Sequence, residues 1–228
     1  MRAFVDRASP SPASRAADVV DSLRLFLLVA YLQSELYSRA VAATGFIAET
    51  DATVFGTVNA HEAQHVNRLT TLIAERAGTP LARPAFDFTA AGALPDFAFQ
   101  AGQYETFRIL AQTFEDLGVR AYKGQLEALV ADEPALNAAL AIHAVEARHA
   151  AEMRRLRGRK GWIASGSLDD VPTFLQPVYA GEDVTTQGTV NVASVISATG
   201  GAEAAAQAFD EPLTAAQVTA IVASFIGV

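Results

Sequence analysis

Residues 62–65 read Glu-Ala-Gln-His, and residues 146–149 read Glu-Ala-Arg-His. The pattern Glu-x-x-His therefore occurs twice, 84 residues apart, within segments of helical periodicity. A glutamate and a histidine three positions apart lie on one face of a helix and present a carboxylate oxygen beside an imidazole nitrogen. Iron, manganese and zinc accept that pair of ligands. The repeat therefore predicts a metal site built from two helices.

Each tetrapeptide lies in an apolar seam. Residues spaced 4, 3, 4 and 3 apart form the two seams, which are Val58, Glu62, His65, Leu69, Leu72 and Ile142, Glu146, His149, Met153, Leu156. This spacing is typical of the packed side of a bundle helix, so the glutamates and histidines are predicted to point into the core. A buried carboxylate costs several kcal/mol without a counter-charge. That charge is either a bound cation or a buried hydrogen-bonding partner, such as Arg120 or a neighbouring histidine.

The rest of the chain favours an all-α fold, a four-helix bundle made of two helical hairpins with a crossover loop. Gly78 and Pro80 end the second helix, and Asp132, Glu133 and Pro134 open the fourth. The predicted helices span about 19–43, 52–77, 95–131 and 132–160, with a crossover at 79–94. We expect a flexible leader at 1–17, the bundle at 18–160 and an irregular extension at 161–228.

A short closing helix is predicted near the end of the extension. Thr214 and Gln217 have the spacing of a capping box ahead of the apolar segment Val218–Phe225.

The third helix adds a carboxylate to the predicted site. Glu115 and Tyr122 lie seven residues apart in another apolar seam. A shift of 85 residues places them on Ala30 and Tyr37 of the first helix. The two tyrosines match, but the glutamate meets an alanine. The chain thus resembles two hairpins related by an approximate two-fold axis that is broken at Ala30.

Composition excludes several classes of protein. A net charge of −8 and a pI of about 5.0 argue against nucleic-acid binding. Cysteine is absent, which excludes disulfides, thiol catalysis and iron–sulfur clusters. Any metal must therefore be held by oxygen and imidazole ligands, and only four histidines are present.

The apolar run at residues 23–32 is too short to cross a bilayer. Three arginines precede the run and a fourth, Arg24, lies at its start, as in a signal segment, but no clear signal-peptide cleavage site follows it. We predict no membrane span, and either a cytoplasmic or an exported, periplasmic location.

Three segments carry a family resemblance: residues 114–124 (FEDLGVRAYKG), 145–150 (VEARHA) and 208–214 (AFDEPLT). With the paired Glu-x-x-His motifs, they resemble the ferritin-like superfamily, and more closely the bacterial ferritin-like proteins related to plant desiccation-associated proteins. The resemblance extends over about residues 20–226. It implies a ferritin-like bundle with a dinuclear carboxylate site.

Carried over residue by residue, the resemblance makes Glu62 and Glu146 bridging ligands of two metals. His65 and His149 would be terminal ligands, and Glu115 would be the terminal carboxylate on the second metal. Tyr37, Tyr122 and Gln33 would lie just outside the ligands, where the tyrosines either hydrogen-bond or simply pack.

The first-helix ligand of the family falls at Ala30, which cannot bind a metal. Gln33 offers only a neutral oxygen, and Glu35 lies about 140° further around the helix. Three carboxylates leave two divalent ions with a formal charge of +1, so the resemblance implies an asymmetric, partly degenerate site. The ion beside His149 should be well held, and the one beside His65 weak, replaceable or absent.

Two functions remain open. One is a ferroxidase-like or manganese catalase-like reaction, in which iron or manganese, with zinc as a third option, meets O₂ or H₂O₂. The other is a non-enzymatic stress or desiccation-response protein whose metal is structural, mononuclear or vestigial. One ion, two or none are therefore all compatible with the sequence. The alanine-rich helix faces favour a homodimer.

Overall fold

The computed structural model describes residues 12–94, 97–164, 166, 168 and 170–227. Four long helices dominate it: α1 (Pro12–Ala42), α2 (Ala52–Glu75), α3 (Tyr104–Leu129) and α4 (Glu133–Leu156). The extension holds α5 (Val192–Val195), α6 (Gly201–Ala206), α7 (Ala215–Ala223) and an antiparallel pair, β1 (Thr186–Gln187) and β2 (Val190–Asn191). Short 3-10 turns occupy Glu49–Asp51, Thr173–Val178 and Ser197–Thr199.

The four helices form the predicted bundle of two hairpins. α1 packs along α2, α3 packs along α4, and α1 and α3 join the two hairpins. α2 and α4 touch each other only sparingly. None of the helices in the described part of the chain is long and apolar enough to span a membrane.

The first helix begins earlier than predicted. It starts at Pro12 rather than near Val19, so residues 12–17 of the expected leader are helical. Proline is compatible with the first turn of a helix, because the amide it lacks has no partner there. Residues 1–11 of that leader lie outside the described residues.

The third helix begins later than predicted, at Tyr104 rather than near residue 95. Phe99 and Gly102 adopt positive φ angles of 55° and 88°, which a right-handed helix does not allow. The half-buried Phe99 ring packs edge-on to Phe46, a member of the buried core, at 5.7 Å. Long-range packing therefore overrides the local helical pattern in this segment.

The N-terminus of α4 is capped as predicted. The Asp132 side chain accepts a hydrogen bond from the amide of Ala135 at 3.1 Å. The same carboxylate receives Nε of Arg76 at 2.6 Å and its Nη2 as well. Arg76 is the C-cap of α2. This pair therefore joins the ends of the two helices that carry the Glu-x-x-His motifs.

The extension is tied to α3 through a buried arginine. Arg120 donates to the carbonyls of Ala180 and Glu211 at 2.8 and 2.6 Å and to that of Val178. Its Nε lies 2.8 Å from Oε1 of Glu182. Arg120 is thus committed to the extension, away from the Glu-x-x-His pairs.

The predicted capping box of the closing helix is confirmed. Thr214 and Gln217 make both reciprocal hydrogen bonds at the start of α7. The chain then pairs with the crossover, where the amide of Asp87 donates to the Phe225 carbonyl at 2.8 Å. Phe225 also packs edge-on to Phe114 of α3 at 4.8 Å. The extension therefore covers one side of the bundle.

Candidate metal centre

The two predicted seams are buried. On α2, Glu62 is fully buried and His65 is 7% exposed. On α4, Glu146 and His149 are 1% and 5% exposed. The flanking apolar seam residues are buried as well, except Leu156, which is half-buried: Val58, Leu69, Leu72, Ile142 and Met153. Heptad-like spacing thus turns one Glu/His pair of each helix toward the centre of the bundle.

Four acidic and imidazole groups converge there. Glu62, Glu115, Glu146 and His149 each offer one ligand atom, and these atoms all lie within 4.8 Å of one another. All four residues are buried. Three helices contribute to this group, which has the size and donor types of a metal-binding site. His65 is not part of it.

The histidines face the carboxylates through Nδ1. Nδ1 of His65 lies 3.2 Å from Oε2 of Glu62 and 3.0 Å from Oε1 of Glu146. Nδ1 of His149 lies 3.1 Å from Oε1 of Glu62 and 3.2 Å from Oε2 of Glu115. Each Nδ1 atom thus faces two carboxylate oxygens, but its single N–H can point at only one of them.

Burial and mutual contacts shift the pKa values of the groups in this cluster. Burial and, to a smaller extent, the charge of Glu146 raise the pKa of Glu115 to about 8. Burial lowers the pKa of His65, but contacts with Glu146 and Glu62 outweigh it and raise the pKa to about 10. For His149, contacts with Glu115 and Glu62 outweigh burial and raise the pKa to about 11. Protons and metal cations therefore compete for the same donors.

The residues present fit a metal ion. Oε1 of Glu62 and Oε1 of Glu146 are buried and make no hydrogen bond with any described residue. Their distances of 3.1 and 3.0 Å to imidazole nitrogens lack hydrogen-bond geometry. Unsatisfied buried carboxylate oxygens are costly, and a cation coordinated by oxygen and nitrogen relieves that cost.

A glycine makes room for this arrangement. A Cβ atom on Gly118 of α3 would overlap Oε2 of Glu146 and would lie 3.0 Å from Nε2 of Gln33. Gly118 thus lets the Glu146 carboxylate approach the backbone of α3. Gly118 lies in the same seam of α3 as Glu115 and Tyr122. A glycine at this inward-facing position was the sequence signal that could have identified the close approach.

A model of the ferritin-like domain matches residues 18–159. The chain belongs to the ferritin-like domain family. The match covers well over half of the chain, from α1 through the end of α4. The ferritin-like fold predicted from the sequence is thereby confirmed. No curated protein matches the chain.

In this ferritin-like protein, no described residue of α1 supplies a carboxylate to the centre. Ala30, where the sequence comparison of the two hairpins predicts a ligand opposite Glu115, is buried. Gln33 instead donates from Nε2 to Oε2 of Glu146 at 2.6 Å and to the Phe114 carbonyl at 3.2 Å. Glu35 forms ion pairs at the surface, with Arg39 at 2.9 Å among them. Glu35 therefore does not substitute for the missing ligand.

The two tyrosines of the ferritin-like bundle have different surroundings. The Tyr37 hydroxyl donates to Oε1 of Glu115 at 2.5 Å. Burial and the charge of Glu115 hold the pKa of Tyr37 well above its usual range, so it remains a donor. The Tyr122 hydroxyl is buried without a hydrogen-bond partner among the described residues, and its ring stacks on Phe26 at 4.1 Å.

Two further features of the site were not predicted. His61 lies just outside the ligands, with Nδ1 3.0 Å from Nε2 of His149, and their rings stack. Asp116, beside Glu115 on α3, forms a buried ion pair with Arg154 of α4 and accepts from the Tyr179 hydroxyl at 2.9 Å. A basic run at the C-terminal end of a helix favours a solvated face, but Arg154 in the run that ends α4 is only 3% exposed.

Proposed function

We propose that this ferritin-like protein holds a redox-active metal ion asymmetrically at the centre of its bundle. Glu62, Glu115, Glu146 and His149 would bind the first ion tightly. The observation that supports this proposal is the convergence of one ligand atom from each of these four residues within 4.8 Å. His65 would contribute to a weaker, second position.

The asymmetry follows from what α1 lacks. With Ala30 in place of a carboxylate, three buried glutamates of the described residues face the two positions. The three negative charges exceed the charge of one divalent ion, whereas two divalent ions would leave a formal net charge of +1. Gln33 adds no charge and directs its amide nitrogen at Glu146. The second position is therefore weak, replaceable or empty.

The donor set favours iron or manganese, with zinc as a third option. Carboxylates are hard donors, imidazole is a borderline donor, and the chain has no cysteine to offer a soft thiolate. A bound iron or manganese ion would supply electron transfer toward O₂ or H₂O₂. The chain's own residues would hold the donors in place and exclude bulk water, and Tyr37 would orient Glu115.

A non-enzymatic role is the second candidate, and Ala30 favours it. A centre that retains one well-held ion can serve as a structural or vestigial site in a stress-related protein. Both candidates involve a bound metal ion rather than nucleic acid, and only the enzymatic one involves O₂ or H₂O₂. The homodimer inferred from the alanine-rich faces stays a prediction.

Loading the protein with Fe(II) or Mn(II) and following O₂ and H₂O₂ consumption separates the two functions. We expect turnover by the wild-type protein and none by His149→Ala. Turnover no faster than that of His149→Ala would exclude the enzymatic function. His65→Ala serves as the matched variant, because it removes an imidazole from the weak position and should keep the tight ion.

A further inference from the structure

A cavity of about 280 Å³ opens between α2 and α4, two helices that contact each other only sparingly. Its lining comprises three valines, two threonines and four polar residues: Val54, Val58, Val145, Thr53, Thr57, His61, Arg148, His149 and Glu152. The valine side chains and the threonine methyl groups make most of its surface apolar. The described helices leave it open to solvent.

The inner end of the cavity is formed by two stacked imidazoles. The rings of His61 and His149 are 5.3 Å apart and inclined by 12°. Nδ1 of His61 lies 3.0 Å from Nε2 of His149, so these two ring nitrogens satisfy each other. The cavity therefore ends on the outer side of a histidine whose inner side faces the carboxylates.

An unpaired cation lies at the mouth. Arg148 is exposed and makes no hydrogen bond or ion pair with any residue that the structure describes. Glu152, the acidic residue of the lining, is already held by Arg155 through two hydrogen bonds of 2.6 and 2.7 Å. The guanidinium of Arg148 is therefore free to pair with an anion.

We propose that this cavity binds a small organic carboxylate. Its anionic group pairs with Arg148, for which the planar guanidinium offers two parallel N–H donors. Its apolar body lies against Val54, Val58 and Val145, and its far end reaches His61. The volume is near the lower end of the range of about 300–1,000 Å³ for ligand pockets, which limits the ligand to a short chain or a single ring.

This proposal does not depend on the metal, because the lining residues and the free guanidinium are features of the protein chain. The test therefore uses the metal-free, full-length protein and octanoate as the probe, followed by isothermal titration calorimetry. We expect saturable binding of one octanoate. The uncharged 1-octanol should bind at least about tenfold more weakly, since it lacks the ionic contact.

Two variants locate the probe. Arg148→Gln removes the cation from an exposed position and should weaken octanoate binding about tenfold. Val145→Phe fills a half-buried part of the wall and should abolish binding. Arg68→Gln is the matched control, because Arg68 is an exposed arginine of α2 outside the cavity lining. It should bind octanoate as the wild type does.

The proposal is overturned if octanoate shows no saturable binding, or if 1-octanol binds equally well. It is also overturned if Arg148→Gln and Val145→Phe, both verified as folded by thermal unfolding, bind octanoate with unchanged affinity. Metal titration of the same preparations is recorded separately. A failed carboxylate site with normal metal binding is thus distinguished from a failed metal centre.

Discussion

Tyr37 of α1 donates its hydroxyl proton to Oε1 of Glu115 on α3 across 2.5 Å. The contact is fully buried and joins the two hairpins at one of the carboxylates of the centre. With alanine at position 30, α1 takes part in the centre through hydrogen-bond donors, Tyr37 and Gln33, rather than through a metal ligand. Donors of this kind orient a ligand and tune its basicity.

Replacing Tyr37 with phenylalanine should weaken metal binding by about 10- to 100-fold, because outer hydrogen bonds to ligands typically contribute that much. Tyr122→Phe is the matched control. Its hydroxyl has no hydrogen-bond partner in the described part of the chain, so affinity should change by less than about threefold. Metal titration by calorimetry measures both, and equal losses would contradict a specific role of Tyr37.

Gly118→Ala should damage the centre. The added methyl group overlaps Glu146 and crowds Gln33, so the carboxylate or the helix must shift, at a cost of about 1–3 kcal/mol and with weaker metal binding. Gly56→Ala provides the control, because a Cβ there meets no atom within 4 Å. That variant should unfold at the same or a higher temperature. Its free energy of unfolding should rise by up to about 1 kcal/mol, because alanine has a higher helix propensity than glycine. If the Gly118→Ala variant bound metal with the affinity of the wild type, the packing argument would be refuted.

Ala30→Glu should convert the centre into a symmetric one. The new carboxylate would lie at the first-helix position that matches Glu115 of α3, and elemental analysis should then show two tightly bound ions for each chain. Without metal, this variant should lose several kcal/mol of stability, since a further charge is buried. Ala30→Gln has nearly the same size and no charge. If it bound two ions as well, charge would not explain the asymmetry.

The ion pair of Asp132 and Arg76 should make stability depend on acid pH. The hydrogen bonds from Arg76 outweigh burial and lower the pKa of Asp132 below its usual value. A carboxyl group with a lowered pKa contributes stability above the pKa of the unfolded chain, about 3.9, and loses it as the pH falls through the folded value. Asp132→Asn should therefore be less stable at neutral pH by about 1 kcal/mol, and the difference should shrink below about pH 4.

Asp132→Ala distinguishes the ion pair from the helix cap. Asparagine is as good an N-cap as aspartate, whereas alanine loses the cap at a further cost of about 1 kcal/mol. Chemical denaturation at several pH values measures both variants. A constant difference between the wild type and Asp132→Asn down to pH 3 would contradict the linkage to the carboxylate.

Much of the centre was accessible from the sequence, because helical spacing alone places Glu62 with His65 and Glu146 with His149 on inward faces. The caps at Asp132 and Thr214 were also predictable, since they depend on neighbours within three residues. The start of α3 was not, because distant aromatic packing around Phe99 decides it. Local patterns report local geometry, and they miss segments that tertiary contacts override.

The same limit explains why the tyrosines looked equivalent. Tyr37 and Tyr122 occupy matching positions of the two hairpins, yet only Tyr37 reaches a carboxylate among the described residues. The difference arises from Ala30 and Gln33, which break the internal symmetry. The buried pair of Asp116 and Arg154 was missed for a related reason, because a basic run at a helix end is usually solvated.

Anomalous X-ray scattering from crystals equilibrated with Fe(II) or Mn(II) tests the asymmetric centre most directly. We predict one strong peak among Glu62, Glu115, Glu146 and His149, with a weak peak or none beside His65. Two peaks of equal occupancy, one on each side, would contradict the account.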